Sequence, residues 1–325
     1  MTHRHMVGAL NNALDLLMDK HDNAVILGED VGLDGGVFRV TNHLQEKYGE
    51  DRVVDTPLAE AGIIGSSIGL AINNMIPIPE IQFSGFSYQA FHHFKQHMSR
   101  FRQRSNGGIS LPLVVRTPCS GGIRALEHHS ESPEAFFIHT QGLKVIMPST
   151  PTNAKGLLIS AVESEDPVVF LEPKKIYRSF KEDVPDEYYK TEIGKARIVK
   201  EGSDITIVTY GAMVKKAEDS LEAIQSAGYN PEIIDLQTLW PLDEETILES
   251  VKKTGRAVIL HEAAKTCGFG AELSSRIHEG AILHLEAPVK RVTAPDIPYP
   301  QFAIEDYYLP GTERLLNGIN EVMNF

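Results

Sequence analysis

Short, continuous apolar runs alternate with amphipathic segments along most of this chain, and this alternation limits the available folds more than any other feature. The run 24–27, with the sequence AVIL, is typical of a strand in a sheet that is covered on both faces. The preceding segment, 7–21, places Leu10, Leu14 and Leu17 on one helical face. Alternating strands and helices predict an α/β fold built on mostly parallel, doubly wound sheets.

Two such series are predicted, and a polar stretch separates them. Residues 178–194 are charged, contain Pro185 and have few apolar side chains, so they predict a linker. The chain should therefore form two doubly wound domains, 1–190 and 195–325. The predicted strands are 24–27, 53–54, 76–82, 111–116, 143–148, 168–171, 205–208, 233–234, 257–260 and 289–292. The predicted helices are 7–21, 60–73, 86–103, 133–140, 154–162, 217–227, 244–253, 271–278 and 312–323.

The charge balance and the cysteine content argue against several classes of protein. The formal net charge of −13 leaves no basic excess to displace counterions from a nucleic-acid backbone. The two cysteines, Cys119 and Cys267, have no metal-ligand spacing and are too few for a disulfide framework. No apolar run approaches the ~20 residues of a membrane span, and the N-terminus lacks a signal-peptide pattern. We therefore expect a cytoplasmic protein with no membrane or nucleic-acid partner.

Glu60 lies where a predicted strand end meets the first turn of a predicted helix. The strand 53–54 leads into the sequence DTPLAEAG at 55–62, where Pro57 ends the strand. This position belongs to the crevice at the carboxyl ends of parallel strands, and a helix N-terminus favours an ionised carboxylate. An ordinary first-turn acid has the same position, so Glu60 alone does not identify a site.

Two further stretches, taken together with 55–62, resemble a known family. They are EIQFSGF at 80–86 and EHHSESPE at 127–134. In this order they resemble the β subunit of the thiamine-diphosphate-dependent 2-oxoacid dehydrogenases, in the decarboxylating first component of those complexes. The resemblance runs from Met6 to the C-terminus. It implies a transketolase-like pyrimidine-binding domain followed by a domain of the transketolase C-terminal type.

The resemblance also implies cofactor-binding residues. Glu60 would bind the aminopyrimidine N1′ of thiamine diphosphate and favour the imino tautomer of that ring, and Leu58 would line the same site. Gln82 and Phe86 match residues around the ring, where an aromatic side chain can stack on a flat heterocycle. Glu29 resembles an acid of the polar tunnel that links two active sites in these tetramers. A surface acid at a strand end is the plain alternative for Glu29.

His129 is the second catalytic candidate. The family sequence His-Ser-x-Ser selects His129 rather than its neighbour His128. In the family this histidine faces the reacting carbon and the incoming lipoyl group. A histidine at that place can donate a proton or hold a developing oxyanion near neutral pH.

A structural potassium ion is also implied by some relatives. Its ligands would be the carbonyl oxygens of Leu111, Leu113 and Val114 together with Asp166. Carbonyl oxygens suit such a hard cation. Ser164 departs from the side-chain ligands of the family.

The diphosphate half of the cofactor site is missing from this chain. The α subunits of the family carry Gly-Asp-Gly followed later by Asn-Asn, and this motif binds Mg²⁺ and the diphosphate. Residues 34–36 and 73–74 imitate the pieces, but the leading glycine is absent and the intervening sequence does not fit. A partner α subunit would complete the site, so we expect an α2β2 heterotetramer with the active site at a subunit interface.

The implied reaction is decarboxylation of a small 2-oxo acid, followed by transfer of the acyl group to the lipoyl group of the acyltransferase component. The stretches 132–137, 170–174 and 261–263 look more like branched-chain members, so a branched-chain substrate is expected, with pyruvate next and then acetoin. Two alternatives come from other classes. One is a non-catalytic scaffold that docks the acyltransferase core, and the other is a free-standing transketolase-like enzyme.

The second domain is expected to dock the acyltransferase rather than to take part in catalysis. Its last predicted helix, 312–323, is amphipathic. Family members use this domain to bind a small basic domain, and acidic side chains suit such a partner. We nominate Glu286, Asp296, Glu305 and Asp306 collectively for this surface.

Overall fold

The computed structural model describes residues 1–325, which fold into two compact units. The first unit comprises 1–119 and 136–193, and the second comprises 120–135 and 194–325. The later boundary lies close to the predicted start of the second domain at 195. The segment 120–135 differs from the prediction, because the sequence interpretation placed it inside the domain 1–190.

The first unit contains a parallel sheet and a small separate ribbon. Its strands are β1 (Thr2–Arg4), β2 (Ala24–Gly28), β3 (Val53–Asp55), β4 (Ile76–Glu80), β5 (Val114–Cys119), β6 (Lys144–Ile146), β7 (Val168–Pro173) and β8 (Glu182–Val184). Its helices are α1 (Met6–Lys20), α2 (Leu44–Tyr48), α3 (Glu60–Ile72), α4 (Phe101–Arg104), α5 (Glu134–Ile138), which begins in the segment 120–135, and α6 (Pro151–Val162). Short 3-10 turns lie at Ser84–Ala90, Met98–Arg100 and Lys174–Ile176, and a π-helical turn lies at His93–His97.

The parallel sheet explains the apolar runs. Within the unit its strand order is β6-β7-β5-β4-β2-β3, and all neighbours are parallel. Every residue of β2 is buried, as expected for a strand covered on both faces. Helix α1 buries its predicted apolar face and packs against α6. The N-terminus of α6 is capped by Thr150, whose hydroxyl accepts a hydrogen bond from Asn153 N.

The second unit repeats this arrangement with a smaller sheet. Its strands are β9 (Arg197–Lys200), β10 (Ile205–Thr209), β11 (Pro231–Asp235), β12 (Thr238–Trp240), β13 (Ala257–Ala264) and β14 (Lys290–Ala294). Its helices are α7 (Ala212–Asp219), α8 (Leu221–Ser226), α9 (Glu244–Thr254), α10 (Phe269–Ala281), α11 (Glu305–Tyr308) and α12 (Thr312–Met323), with 3-10 turns at Glu127–His129, Ile282–His284 and Phe302–Ile304. The sheet order is β14-β13-β10-β11-β9, parallel except for β9.

The predicted fold class, two α/β domains with mostly parallel sheets, is confirmed, but three local predictions were wrong. The stretch 86–103 is a series of 3-10, π and α turns rather than one helix, because tertiary packing can override local propensity. The rings of His92, His93 and His97 pack together in this stretch, with centroids 5.2–5.6 Å apart. The predicted linker contains β8, which pairs with β1. Glu182 is partly buried, Asp183 is exposed, and Val184 is the strand's one apolar residue, so no apolar pattern marked it.

The third wrong prediction concerns the helix 217–227, which is divided into α7 and α8 at Ser220. The Ser220 hydroxyl donates to the carbonyl oxygen of Lys216 at 2.7 Å and also contacts the Thr312 hydroxyl. A serine that hydrogen-bonds to the preceding turn competes with the regular helix pattern. None of the helices is both long enough and apolar enough to span a bilayer.

Candidate active site

The carboxyl ends of three neighbouring strands bring several predicted site residues together. Strand β2 lies between β3 and β4 in the sheet. Glu29 follows β2, Gln82 follows β4, and Glu60 begins the helix that follows β3. The strand ends are close, since a Cβ atom on Gly28 would lie 2.7 Å from the carbonyl oxygen of Glu80. Ligands of open α/β sheets bind in such a crevice.

Glu60 is a buried acid with unused hydrogen-bonding capacity. Its exposed fraction is 4%, and it lies at the N-terminus of α3. The carboxylate oxygen Oε2 is buried without a hydrogen-bond partner. Buried polar atoms are normally paired, so this oxygen is suited to an N–H donor supplied by a ligand. The residue therefore fits the aminopyrimidine of thiamine diphosphate.

Gln82 connects the neighbouring acids. Its Nε2 donates to the backbone carbonyl of Glu29 at 3.0 Å and to Glu80 Oε1 at 2.9 Å. Burial, and then the charges of Asp30 and Glu60, raise the pKa of Glu29 above its ordinary value. Glu29 and Glu60 therefore lie close enough for their charges to interact, and both border the same crevice.

Leu58 and Phe86 lie on segments next to these acids. Leu58 is in the connection between β3 and α3 and is 67% exposed, which is high for a large apolar side chain. Phe86 is half-buried in the 3-10 turn Ser84–Ala90 that follows Gln82. An exposed leucine and a partly exposed phenylalanine beside a buried acid are suited to a flat, partly apolar ligand.

A buried charged cluster behind the crevice was missed by the sequence interpretation. The Arg116 guanidinium is fully buried and contacts Glu80 Oε2 at 2.8 Å and the Glu172 carboxylate at 2.7 and 3.0 Å. Tyr177 also donates its hydroxyl to Glu172. Burial by itself lowers the pKa of Arg116, but the carboxylates of Glu172 and Glu80 overcome this effect and raise it. Charged residues inside otherwise apolar strands were the available signal.

His129 lies in the second unit, within the segment 120–135. It ends the 3-10 turn Glu127–His129, and its backbone N donates to Leu126 O at 3.0 Å. The rings of His128 and His129 are tilted against each other, with centroids 4.3 Å apart. Both side chains are partly exposed. This imidazole is partly exposed on a short turn, so solvent reaches part of the ring.

Several of the residues proposed for a potassium site have partners within the first unit. Leu113 O accepts a hydrogen bond from Val168 N, and Leu111 N donates to Glu165 O. The Asp166 carboxylate pairs with Arg102 at 2.7 Å and lies 3.7 Å from the Lys144 ammonium. Lys144 also donates to Ser164 Oγ at 2.8 Å. Two cationic side chains therefore lie beside the acid that the resemblance offered to a metal ion, and the potassium site stays a prediction.

The chain has no cluster of side-chain metal ligands, and its Asn-Asn pair has local hydrogen-bond partners. No group of three or more His, Cys, Asp or Glu side chains is placed to hold a metal ion. The Asn73 side chain donates to the carbonyl of Gly69 in its own helix, and Asn74 O accepts from the side chain of Asn23. The Asn-Asn pair therefore forms local hydrogen bonds at the C-terminal end of α3.

Glu305 does not belong to the proposed docking surface. Its exposed fraction is 1%, and it accepts hydrogen bonds from the backbone of Gly122 and Arg124 and from the Tyr299 hydroxyl. A buried carboxylate with these donors cannot belong to a solvated acidic surface. Glu286, Asp296 and Asp306 are exposed, although each has a partner of its own within the unit.

Comparison with known families finds a match for each of the two domains. Residues 3–179 match the family described as transketolase, pyrimidine binding domain, and residues 194–315 match transketolase, C-terminal domain. A solved structure described as a split gene transketolase, inactive β4 tetramer, aligns with a TM-score of 0.80 over 99% of both chains. At 21% identity this likeness shows the fold alone.

Curated relatives are considerably more similar. Pyruvate dehydrogenase E1 component subunit beta of Acholeplasma laidlawii is 50% identical over 95% of both chains. The proteins of the same name from Staphylococcus epidermidis and Staphylococcus aureus are each 46% identical over the full length of both chains. The expected branched-chain type is therefore not supported, because these relatives carry the pyruvate name. The chain belongs to the transketolase-like, thiamine-diphosphate-dependent family of 2-oxoacid dehydrogenase E1 β subunits.

Proposed function

We propose that this chain is the β subunit of a pyruvate-decarboxylating E1 component. The observation that carries the proposal is the buried Oε2 of Glu60, which lacks a hydrogen-bond partner at the carboxyl ends of β3, β2 and β4. The names of the relatives that are 46–50% identical favour pyruvate over a branched-chain 2-oxo acid.

In this proposal the first unit binds the aminopyrimidine ring. Glu60 holds a negative charge beside N1′, Gln82 and Phe86 surround the ring, Leu58 lines the site, and Glu29 supplies a second acid with a raised pKa. The bound cofactor supplies the electron sink for decarboxylation. Low exposure of Glu60 excludes water and strengthens its electrostatic effect on the ring.

His129 is assigned to the acyl-transfer half of the reaction. The 2-oxo acid loses carbon dioxide, and the lipoyl disulfide of the acyltransferase component is the oxidant. One sulfur of that disulfide receives the acyl group as a thioester and the other becomes a thiol. An imidazole can donate the proton that the leaving thiolate needs at neutral pH.

The proposal requires two protein partners. An α subunit supplies the Mg²⁺ and diphosphate half of the site, in an α2β2 assembly, because this chain lacks that motif. The acyltransferase component is proposed to dock on the second unit. Glu286, Asp296 and Asp306 remain candidates for this contact, and Glu305 is removed from the set because it is buried.

The test is an assay of the chain co-expressed with the α subunit of its own organism. Decarboxylation is measured with an artificial electron acceptor, using pyruvate and then branched-chain 2-oxo acids. We expect kcat/KM for pyruvate to exceed the other values by at least ~10-fold, about the effect of one or two methylene groups in a pocket. A higher value for a branched-chain acid would reverse the substrate assignment. Loss of turnover with every 2-oxo acid in an assembled complex would favour the scaffold alternative.

A further inference from the structure

The segment that carries His129 is a closed loop with an unusual backbone. We define the His129 loop as residues 120–131, whose ends are joined by the hydrogen bond from Ser120 N to Glu131 O at 2.8 Å. Ser120, Gly122 and Arg124 have φ angles of +67°, +86° and +58°. Left-handed backbone is unfavourable for residues such as serine and arginine, so other contacts must maintain it.

The contacts that maintain this backbone come from buried carboxylates. Gly121 N donates to Glu262 Oε2 at 3.1 Å. Gly122 N donates to Glu305 Oε1 at 3.0 Å, and Arg124 N donates to Glu305 Oε2 at 3.0 Å. Alternating left-handed residues turn successive N–H groups towards one side, which is a known geometry for holding an anion. Here the anions are side chains of the same unit.

Two tyrosines complete this anchoring. The Tyr299 hydroxyl donates to Glu305 Oε1 at 2.6 Å, and its ring lies so close to Gly121 that any Cβ atom there would overlap it. Burial, and then the hydrogen bond to Glu305, raise the pKa of Tyr299, so its hydroxyl remains a donor. Beyond the C-terminal end of the loop, Tyr210 donates to Glu134 Oε1 at 2.8 Å.

We infer that Glu305, assisted by Tyr299, is a positioning residue of the second unit that holds the His129 loop in its catalytic geometry. The functional consequence rests on the role proposed above for His129. The carboxylate does not touch the substrate in this view. It contributes by holding the backbone from which the imidazole projects, so its removal lets His129 move while the first unit keeps its cofactor-binding residues.

The central variant is Glu305→Gln in the complex with the α subunit. A glutamine keeps the size but places an N–H₂ group opposite one of its donors, so Gly122 N or Arg124 N loses its acceptor. We expect kcat for acyl transfer to a lipoyl domain to fall about 10- to 100-fold, the scale of a small displacement of a catalytic group. The KM for thiamine diphosphate should stay within about twofold, because its proposed contacts lie in the first unit.

The matched control is Glu249→Gln, and hydrogen exchange gives a readout that does not depend on activity. Glu249 is an exposed acid of α9 in the same unit and has no role in the loop or in the proposed docking contact. Its variant should behave like the wild type. In the Glu305→Gln complex we expect exchange at the amides of Gly122 and Arg124 to be at least ~10-fold faster than in the wild type.

Tyr299→Phe keeps the experiment decisive if Glu305→Gln fails to fold. It removes one hydroxyl and should lower kcat about 3- to 10-fold with the same unchanged cofactor KM. The inference is overturned if both variants keep wild-type kcat, if kcat and the cofactor KM worsen together, or if loop exchange is unchanged. If the wild-type complex proves inactive, the proposed function fails, and the exchange comparison still decides whether Glu305 holds the loop.

Discussion

At the scale of single residues, the neighbours of a buried carboxylate decide its charge. Burial raises the pKa of Glu172, but the Arg116 guanidinium opposes this effect. Glu134 has only the Tyr210 hydroxyl as a side-chain donor, and burial raises its pKa to about 7. Burial raises the pKa of both acids, and only Glu172 has a cation beside it that opposes the shift.

Glu60 gives the most direct test at this scale. In the co-expressed complex, Glu60→Gln should lower decarboxylation at least ~100-fold, because glutamine keeps the shape but cannot hold a negative charge beside the ring. The tetramer should still assemble. The control is Glu46→Gln, which changes an exposed acid of the same unit. Near-normal turnover of the Glu60 variant with an artificial acceptor would remove this residue from the mechanism.

Glu134 predicts a specific dependence of stability on pH. Its pKa is about 7 in the folded chain against an ordinary value of 4.5, so the folded state retains a proton that the unfolded state has lost. This contribution is full below pH 4.5 and is lost as the pH rises through 7, amounting to about 3 kcal/mol. His261 has the opposite effect on stability. Burial and then Arg291 lower its pKa to about 4, so its contribution to stability increases as the pH rises.

The Glu134→Gln variant separates the two effects, because only the contribution of Glu134 is removed. The free energy of unfolding of the variant, relative to the wild type, should increase between pH 5 and pH 7.5 and then level off. Urea denaturation at several pH values measures this difference. Glu249→Gln, at an exposed position of α9, serves as the control. A difference that does not vary with pH would show that Glu134 stays ionised.

At the scale of secondary-structure elements, a charged cluster joins neighbouring strands. Glu80 ends β4, Arg116 lies in β5, and Glu172 lies in β7. Such a buried ion pair need not be more stable than an apolar replacement of the same volume, because desolvation offsets the attraction. Its geometry has another use, since Glu80 also holds the side chain of Gln82 at the crevice.

Removing the cation from this cluster should be costly. Arg116→Met leaves two carboxylates buried together, and we expect the free energy of unfolding to fall by about 3–5 kcal/mol. The exposed pair between Arg102 and Glu165 provides a comparison, because Arg102→Met should cost far less than Arg116→Met. Urea denaturation measures both. Similar losses for the two variants would contradict the role assigned to burial.

At the scale of the whole molecule, we propose that the chain contains one part of a cofactor site. It carries a crevice suited to an aminopyrimidine ring, and no His, Cys, Asp or Glu group is placed to hold a metal ion. The residues that imitate a diphosphate motif serve local structure instead. The molecule is therefore expected to depend on a partner for function as well as for assembly.

Purified chain without the α subunit should show no decarboxylation and should bind thiamine diphosphate weakly. Adding the α subunit should restore both properties, because it brings the metal and diphosphate ligands. Calorimetric titration of the cofactor and an artificial-acceptor assay measure the two effects. Turnover by a preparation verified to be free of the α subunit would refute this division of the site.

Much of the architecture followed from the sequence because burial patterns are local. The continuous apolar run of β2 and the one-sided helix α1 could be recognised from a few residues, since a strand or helix covered by its neighbours needs apolar side chains at set positions. The resemblance at 55–62, 80–86 and 127–134 also led to Glu60, Gln82 and the family. Each of these inferences depended on residues close together in the chain.

Tertiary structure decided the features that depend on distant residues. The Arg116 cluster draws on β4, β5 and β7, and the anchoring of the His129 loop joins residues separated by up to 183 positions. A single sequence gives no distances between such segments, so Glu305 was mistaken for a surface acid and Lys144 was not foreseen beside Asp166. Burial and charge pairing in three dimensions determined whether each of these side chains faces solvent, neutralises an acid or holds a loop.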